Sequence, residues 1–387
     1  MRAGKALINL SVLALSIATG LLLSELGARM VLNPADYLSV GMVDDPILGA
    51  TPSSGARANG FDRWGFRNRQ VPKAVDIVAI GDSHTFGNTA TMADSWPYVL
   101  GRLTHRSVYN MGMGGYGPNQ YLHLLTSKVL NLRPQIVLCG LYMGDDFENA
   151  YTITYGLEHW AYLRQLPARD VRLNIWETVP PPLPWHKNIR VWLSRHSIMY
   201  QLVVHGSFSG RVQGEVQIRK AAQLYDSATS LDIPDQNILE AFLPKSMLQR
   251  IDQENPAVRE GMRITFELLD EMNQICRRNH IQFVVVVIPI KEMVFSDYLE
   301  HNASLSLRAE LDKLLANERL AREKTFQFLT EAGISYVDVL TAMKNSVGGQ
   351  LYARTAADMH PGKNGYRVIA EAILDKVKSL PSPNHGQ

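Results

Sequence analysis

The chain has 387 residues, 46% hydrophobic and 20% charged, enough for a packed core and inconsistent with a wholly disordered or fibrous protein. Lys and Arg total 39 against 37 Asp and Glu, a formal net charge of +2, so no basic bias marks a nucleic-acid partner. Two cysteines, Cys139 and Cys276, exclude a disulfide framework and a four-cysteine zinc site; with no HExxH and no GxxxxGK(S/T), no metal or cofactor is expected.

The first element is apolar. Behind Arg2 and Lys5, residues Ala6 to Ser24 carry no charge. As a helix at about 1.5 Å per residue, this run nearly matches a hydrocarbon core about 30 Å thick. The leading cations hold the N-terminus in the cytoplasm, which predicts a single-pass anchor in the inner membrane with the rest periplasmic or extracellular. A cleaved signal peptide is the competing reading. The length of the run, and the absence of a small-x-small site between Glu25 and Arg29, favour an uncleaved anchor over residues 1–28.

Residues 29–74, rich in Pro, Gly and Asn, are expected to form an extended lead-in. From 75 to 380 short apolar runs alternate with helical patterns. Strands are predicted at Asp76 to Ile80, Ser107 to Asn110, Gln135 to Met143, Phe283 to Ile288 and Tyr336 to Leu340. Helices are predicted around Ser95 to Leu103, Pro118 to Asn131, Val258 to Asn279, Leu311 to Ala332 and Gly365 to Val377. The charges on the helix from Leu311 suit a solvated face. Strands that are continuous apolar runs, separated by helices, predict a parallel sheet covered on both faces, an α/β/α sandwich. The alternation breaks over about 150–256, which carries Trp160, Trp176, Trp185, Trp192 and the run Pro180 to Pro184. This stretch reads as an insertion, helical near Ile189 to Val204, serving either as a cap over the strand ends or as a packing subdomain. Its tryptophans suit an aromatic core better than sugar stacking. Both cysteines are expected as buried thiols, and residues 381–387 as a frayed tail.

In open α/β sheets ligands bind at the carboxyl ends of the strands. The first strand runs into Gly81-Asp82-Ser83-His84, a place to present a serine nucleophile. Taken alone, Ser83 reads better as a helix N-cap. A serine needs a base held by a third group. Asp358-Met359-His360, after the last strand, supplies both: residues two apart in extended chain point the same way, so Asp358 can hold one ring nitrogen of His360 while the other faces Ser83. Asp338 is a weaker alternative acid. His84, next to Ser83, is expected to point away and form at most a pocket wall. The second strand ends in a stretch with Gly112, Gly114, Gly115 and Gly117, whose exposed amides suit an oxyanion. The third ends at Gly144-Asp145-Asp146.

These blocks resemble those of the SGNH (GDSL) hydrolase superfamily. Gly81-Asp82-Ser83 is similar to its nucleophile block, Asn110 to Gly117 to its glycine block with Gly115 on the donor glycine, Asp145-Asp146 to its Asn-Asp pair, and Asp358 with His360 to its closing acid and base. The resemblance covers about 61–149 and 257–380. It implies a flavodoxin-like α/β/α fold and acyl-ester hydrolysis or transfer through a seryl intermediate. It assigns Ser83, Asp358 and His360 as catalytic, with Ser83, Gly115 and the Asp145 position around the oxyanion. The two-residue spacing of acid and base resembles the membrane-linked alginate O-acetylation proteins. Asp62-Arg63-Trp64-Gly65-Phe66-Arg67-Asn68 and Pro289-Ile290-Lys291 also look like that branch. Asp145 departs from the family's asparagine: a carboxylate there would repel an oxyanion unless protonated, leaving Ser83, Gly115 and Asn149 as donors.

The expectation is a membrane-tethered serine esterase or O-acyltransferase. Its expected partners are an acylated glycan or other ester substrate, the inner membrane and a membrane acyl-transfer protein. Two alternatives stand: a lipase-like esterase at the membrane surface, whose mark would be an apolar acyl tunnel, and a non-catalytic scaffold or glycan-binding member of an export assembly, motivated by Asp145.

Overall fold

The structure, a computed structural model, describes residues 2–167, 185–205, 229–233, 238–301, 307–352 and 358–380. It opens with α1 (Arg2–Val31), whose Ile8–Val31 part is long and apolar enough to cross a membrane and is not buried against the protein.

The segment expected as an extended lead-in is instead built and packed. β1 (Met42–Asp45) and β2 (Gly49–Pro52) pair as an antiparallel hairpin. Beyond them the buried Asp62 carboxylate accepts from the amides of Trp64 at 2.8 Å and Phe66 at 3.1 Å, and from the Tyr109 hydroxyl at 2.6 Å. Asn68 donates to the Asn110 carbonyl and accepts from the Asn110 amide, both at 3.0 Å. Buried polar contacts hold this stretch where apolar periodicity is absent.

The central sheet has five parallel strands: β3 (Ile77–Gly81), β4 (Val108–Gly112), β5 (Ile136–Tyr142), then, beyond an antiparallel hairpin of β6 (Thr229–Ile233) and β7 (Ile238–Phe242), β8 (Gln282–Ile288) and β9 (Ser335–Asp338). Their order, β4-β3-β5-β8-β9, is the flavodoxin-like one. The helices are α2 (Ser83–Phe86), α3 (Trp96–Thr104), α4 (Pro118–Ser127), α5 (Asp146–Gly156), α6 (Trp185–His196), α7 (Ile198–His205), α8 (Pro244–Ile251), α9 (Pro256–Arg278), α10 (Lys291–Val294), α11 (Ser296–His301), α12 (Arg308–Glu331), α13 (Leu340–Lys344) and α14 (Lys363–Ser379).

Alternate side chains of each strand feed two cores. Val78, Ile80, Val137 and Val285 meet α4, α5 and α9; Ile77, Ala79, Ile136 and Val284 meet α3 and α14. This is the three-layer α/β/α sandwich. The helix predicted to Asn131 ends at Ser127 and continues as a 3₁₀ turn, Val129–Leu132. Helix α12 is not simply solvated: Glu318 and Arg322 are buried, Arg322 pairs with Asp338 at 2.5 Å, and burial pushes the Glu318 carboxyl up to about 8.

The sandwich runs on through α5, where Gly261 of α9 lies so close that a Cβ there would fall 1.9 Å from the Phe147 carbonyl oxygen. Within the irregular stretch, Trp160 is buried and donates to the Ile47 carbonyl at 2.8 Å. Leu231, Ile238 and Phe242 of the β6–β7 hairpin join the core. Trp192 is 59% exposed, against the expectation of an aromatic core. Trp176, the run 180–184, the Trp185 side chain and the tail 381–387 lie outside the described residues. Cys139 and Cys276 are buried free thiols.

Candidate active site

Three glycines stand abreast at the strand ends: Gly81 of β3 is in register with Gly112 of β4 and Gly140 of β5. Together they form the seat for α2. A Cβ on Gly112 would lie 2.2 Å from the Phe86 amide nitrogen, and one on Gly140 would lie 2.2 Å from Thr85 Oγ1. Helix α2 can therefore lie directly on the sheet edge, with Ser83 as its first residue. Gly112, expected as a turn glycine, is part of this seat. Gly115 does adopt a left-handed turn conformation, with φ 74°.

Ser83 Oγ lies 2.7 Å from His360 Nε2, and His360 Nδ1 lies 2.6 Å from Asp358 Oδ1. The same carboxylate oxygen accepts from the His360 amide at 2.9 Å, which locks the closing turn around the ring. Burial pushes the Asp358 carboxyl up, but the hydrogen bonds and charge of His360 outweigh it and hold Asp358 below its ordinary value. The closing turn is tied to the nucleophile loop by Thr89, whose hydroxyl donates to the Pro361 carbonyl at 2.7 Å. Asp338 is engaged elsewhere, with Arg322 and the Leu340 amide.

His84 does not point away. Its Nδ1 lies 2.9 Å from Asp82 Oδ2, its ring stacks on Tyr142 at 3.7 Å, and its centroid lies 4.7 Å from that of His360. Successive side chains of a helix diverge by only about 100°, so neighbours can both face one site, and Asp82 draws the imidazole inward. Asp82 also caps α2, accepting from the His84 amide at 2.9 Å. Burial alone would lower the His84 pKa; the charge and hydrogen bond of Asp82 outweigh it and raise it, with Asp145 and Asp358 adding to the effect. Asp82 is correspondingly lowered, burial being overcome by His84 and His360.

Asp145 and Asp146 part company at the end of β5. Asp146 is structural: it accepts from the Tyr121 hydroxyl and the Tyr142 amide, each at 2.8 Å. Burial and the charges of Asp82 and Asp145 raise its pKa. Asp145 precedes α5, 20% of its side chain exposed, with Oδ1 buried and unpartnered among the described residues. Its Oδ2 lies 3.7 Å from Arg250 Nη1, and Arg250 Nε lies 3.5 Å from Glu148. Burial, then the Asp82 charge, push the Asp145 carboxyl up to about 7 against the pull of His84 and Arg250. Asn149, a further expected donor, packs by its Cβ where a side chain on Gly117 would fall, 2.7 Å away.

Sequence reasoning gave three residues here no role of their own, though Lys291 and Asp82 stood within blocks that it quoted. Arg250 carries no local signal, being an exposed-type cation on an amphipathic helix. Lys291 is buried after β8, pairs with Glu240 and sits over the Phe242 and Tyr352 rings at 5.4 and 5.2 Å; its charge reaches Asp358. Asp82 was visible only as part of the nucleophile block. Beside the site a cavity of about 740 Å³ is lined by Arg67, Phe86, Thr91, Gly114, Arg195 and Gln201.

No protein-family model matches the chain, and no curated protein matches it. Solved structures with a similar chain path include a lipolytic protein of the G-D-S-L family from Desulfitobacterium hafniense, 14% identical, covering 78% of this chain and 98% of its own, TM-score 0.35. A catalytic mutant of an acetylxylan esterase from Geobacillus stearothermophilus is 11% identical, covering 80% and 97%, TM-score 0.36. A GDSL-like lipase from Bacteroides thetaiotaomicron is 11% identical, covering 80% and 93%, TM-score 0.35. The chemistry of the site in this chain rests on its own geometry.

Proposed function

We propose that this chain is a membrane-anchored serine esterase or O-acyltransferase acting through a seryl intermediate. The observation that carries the reading is the continuous line from Asp358 through His360 to Ser83, with contacts of 2.6 and 2.7 Å at the carboxyl ends of the strands. In this arrangement Asp358 accepts from Nδ1–H and fixes the tautomer, so Nε2 takes the Ser83 proton as Oγ attacks the acyl carbonyl carbon. The amide of Ser83, first in α2, has no partner inside the helix and donates to the oxyanion with the Gly115 amide. His360 then gives the proton to the leaving alcohol. Water or a sugar hydroxyl, deprotonated by His360, attacks the acyl-serine and releases Ser83. Hydrolysis and transfer differ only in that last nucleophile.

Resemblance to the alginate O-acetylation branch favours acetyl as the acyl group and a glycan as its partner, on the periplasmic side of the inner membrane. A lipid ester is a second reading, favoured by one observation: α6 and α7, which help line the cavity through Arg195 and Gln201, are hydrogen-bonded to α1. Ser83→Ala tests the core of the proposal. It should abolish labelling by a serine-directed phosphonate and all turnover of a small acetyl ester, with the fold kept. Labelling that persists places the nucleophile elsewhere; a wild type that neither labels nor turns over any ester makes the protein a scaffold.

A further inference from the structure

The last turns of α1 are bound to the α6–α7 hairpin. The Glu25 carboxylate accepts from the Ser197 hydroxyl at 2.9 Å and from the Ile198 and Met199 amides at 3.1 and 3.0 Å. Arg29 Nη2 donates to the His196 carbonyl at 2.6 Å, and Arg29 Nε pairs with Glu25 at 2.8 Å. Glu25 thus closes the N-terminus of α7, a favourable place for a carboxylate.

This latch fixes a depth. Glu25 directly follows the uncharged run that ends at Ser24. At about 1.5 Å per residue the α6–α7 junction sits within a few ångströms of the hydrocarbon edge, inside a headgroup layer roughly 5–8 Å thick. The composition of the hairpin fits that place. Residues 185–205 contain Lys187, Arg190, Arg195 and three histidines, and no Asp or Glu. Neither Arg190 nor Arg195 has an ion-pair partner among the described residues. Of the seven large apolar side chains exposed outside α1 in the described residues, four are here: Ile189, Trp192, Val203 and Val204. A protein surface in water has no reason to gather them; a basic, tryptophan-bearing, acid-free element suits an anionic interface.

We infer that the α6–α7 hairpin is an interfacial foot: it lies in the headgroup layer of an anionic bilayer around the exit of α1 and holds the catalytic sandwich at a set orientation to the lipid surface. The inference rests on the membrane reading above. Because Arg195 and Gln201 also line the cavity next to the nucleophile loop, the foot holds that cavity close to the lipid surface.

The test is nitroxide labelling of the full-length chain reconstituted in phosphatidylcholine vesicles with and without phosphatidylglycerol. Cys139 and Cys276 are buried, so a brief reaction labels introduced thiols. Labels go on Ile189→Cys and Val203→Cys, with Leu15→Cys in α1 and Leu320→Cys on α12 as membrane and water references. Collision with oxygen is compared with collision with a water-soluble nickel chelate. Positions 189 and 203 should give an oxygen-to-nickel ratio between those of 15 and 320, at least threefold above 320. Phosphatidylglycerol should raise it about twofold, a gain lost in Arg190→Gln with Arg195→Gln. A ratio at 189 and 203 equal to that at 320 overturns the foot while leaving the anchor standing. A water-like ratio at 15 overturns the membrane reading itself. Shielding of 189 and 203 from both reagents means that protein covers the hairpin, and overturns lipid as the occupant.

Discussion

Arg250 reaches from α8 to within 3.7 Å of Asp145, so a cation from the irregular stretch faces the acid that lies just after β5. The pairing is loose, and the buried Oδ1 of Asp145 stays without a partner. With its carboxyl pushed up to about 7, Asp145 passes near neutral pH between an acid able to donate a hydrogen bond and an anion that repels negative charge.

That change of state gives the first prediction. If Asp145 faces the oxyanion, kcat/KM of the wild type should fall as pH rises through about 7, because deprotonation removes a donor and adds a repelling charge. Asp145→Asn should lack this alkaline fall. One oxyanion donor is worth about 3 kcal/mol, so a gain of ten-fold or more above the transition is expected. A variant slower at every pH would assign Asp145 to holding Arg250 instead.

Arg250→Gln supplies the second. Without its cation, Asp145 keeps Asp82 and Glu148 as neighbours and holds its proton more tightly. The alkaline limb should move to higher pH, by up to about one unit. A pH–rate profile with an unmoved limb would detach Arg250 from the site.

The Asp82–His84 pair makes stability depend on pH with a definite sign. The raised His84 contributes stability present below its unfolded pKa and lost as pH rises through its folded one. The lowered Asp82 contributes stability present above its unfolded pKa and lost as pH falls through its folded one. The difference in thermal midpoint between wild type and His84→Gln should therefore be largest between roughly pH 4 and 6.5, and shrink toward alkaline pH. Scanning calorimetry across pH checks it.

Two glycines separate stability from catalysis. Gly261→Ala places a methyl into the Phe147 carbonyl and should cost about 1–3 kcal/mol in denaturant unfolding while the folded fraction still labels at Ser83. Gly112→Ala pushes against the Phe86 amide under α2 and should lower kcat by about 10²-fold through displacement of Ser83.

The orientation of α1 is checked by protease added to intact spheroplasts. Residues from about Arg29 onward should be digested; protection until the membrane is lysed would reverse the topology.

The central strands were legible because both faces of the sheet are covered, so each strand is an unbroken apolar run bounded by turn residues. The Asp358–His360 turn was legible because its geometry is local. The glycine seat was not: Gly81, Gly112 and Gly140 are abreast only once three strands are in register. The order in 30–74 was hidden because Asp62 and Asn68 hold it through polar contacts to residues more than 40 positions away. Glu318 and Arg322 were assigned to solvent because their burial depends on Asp338 and Ile290 arriving from other elements.

The double hydrogen bond from Asn68 to Asn110 bears on how this molecule behaves in a crowded compartment. β4 is an outer strand, and such a strand offers free amides and carbonyls to any extended chain that drifts past. By occupying both backbone groups of Asn110, the Asn68 side chain blocks that ladder at its centre. Asn68→Ala would reopen it and loosen the packing of 30–74, and its expected signature is concentration-dependent self-association during refolding, with the central sheet retained.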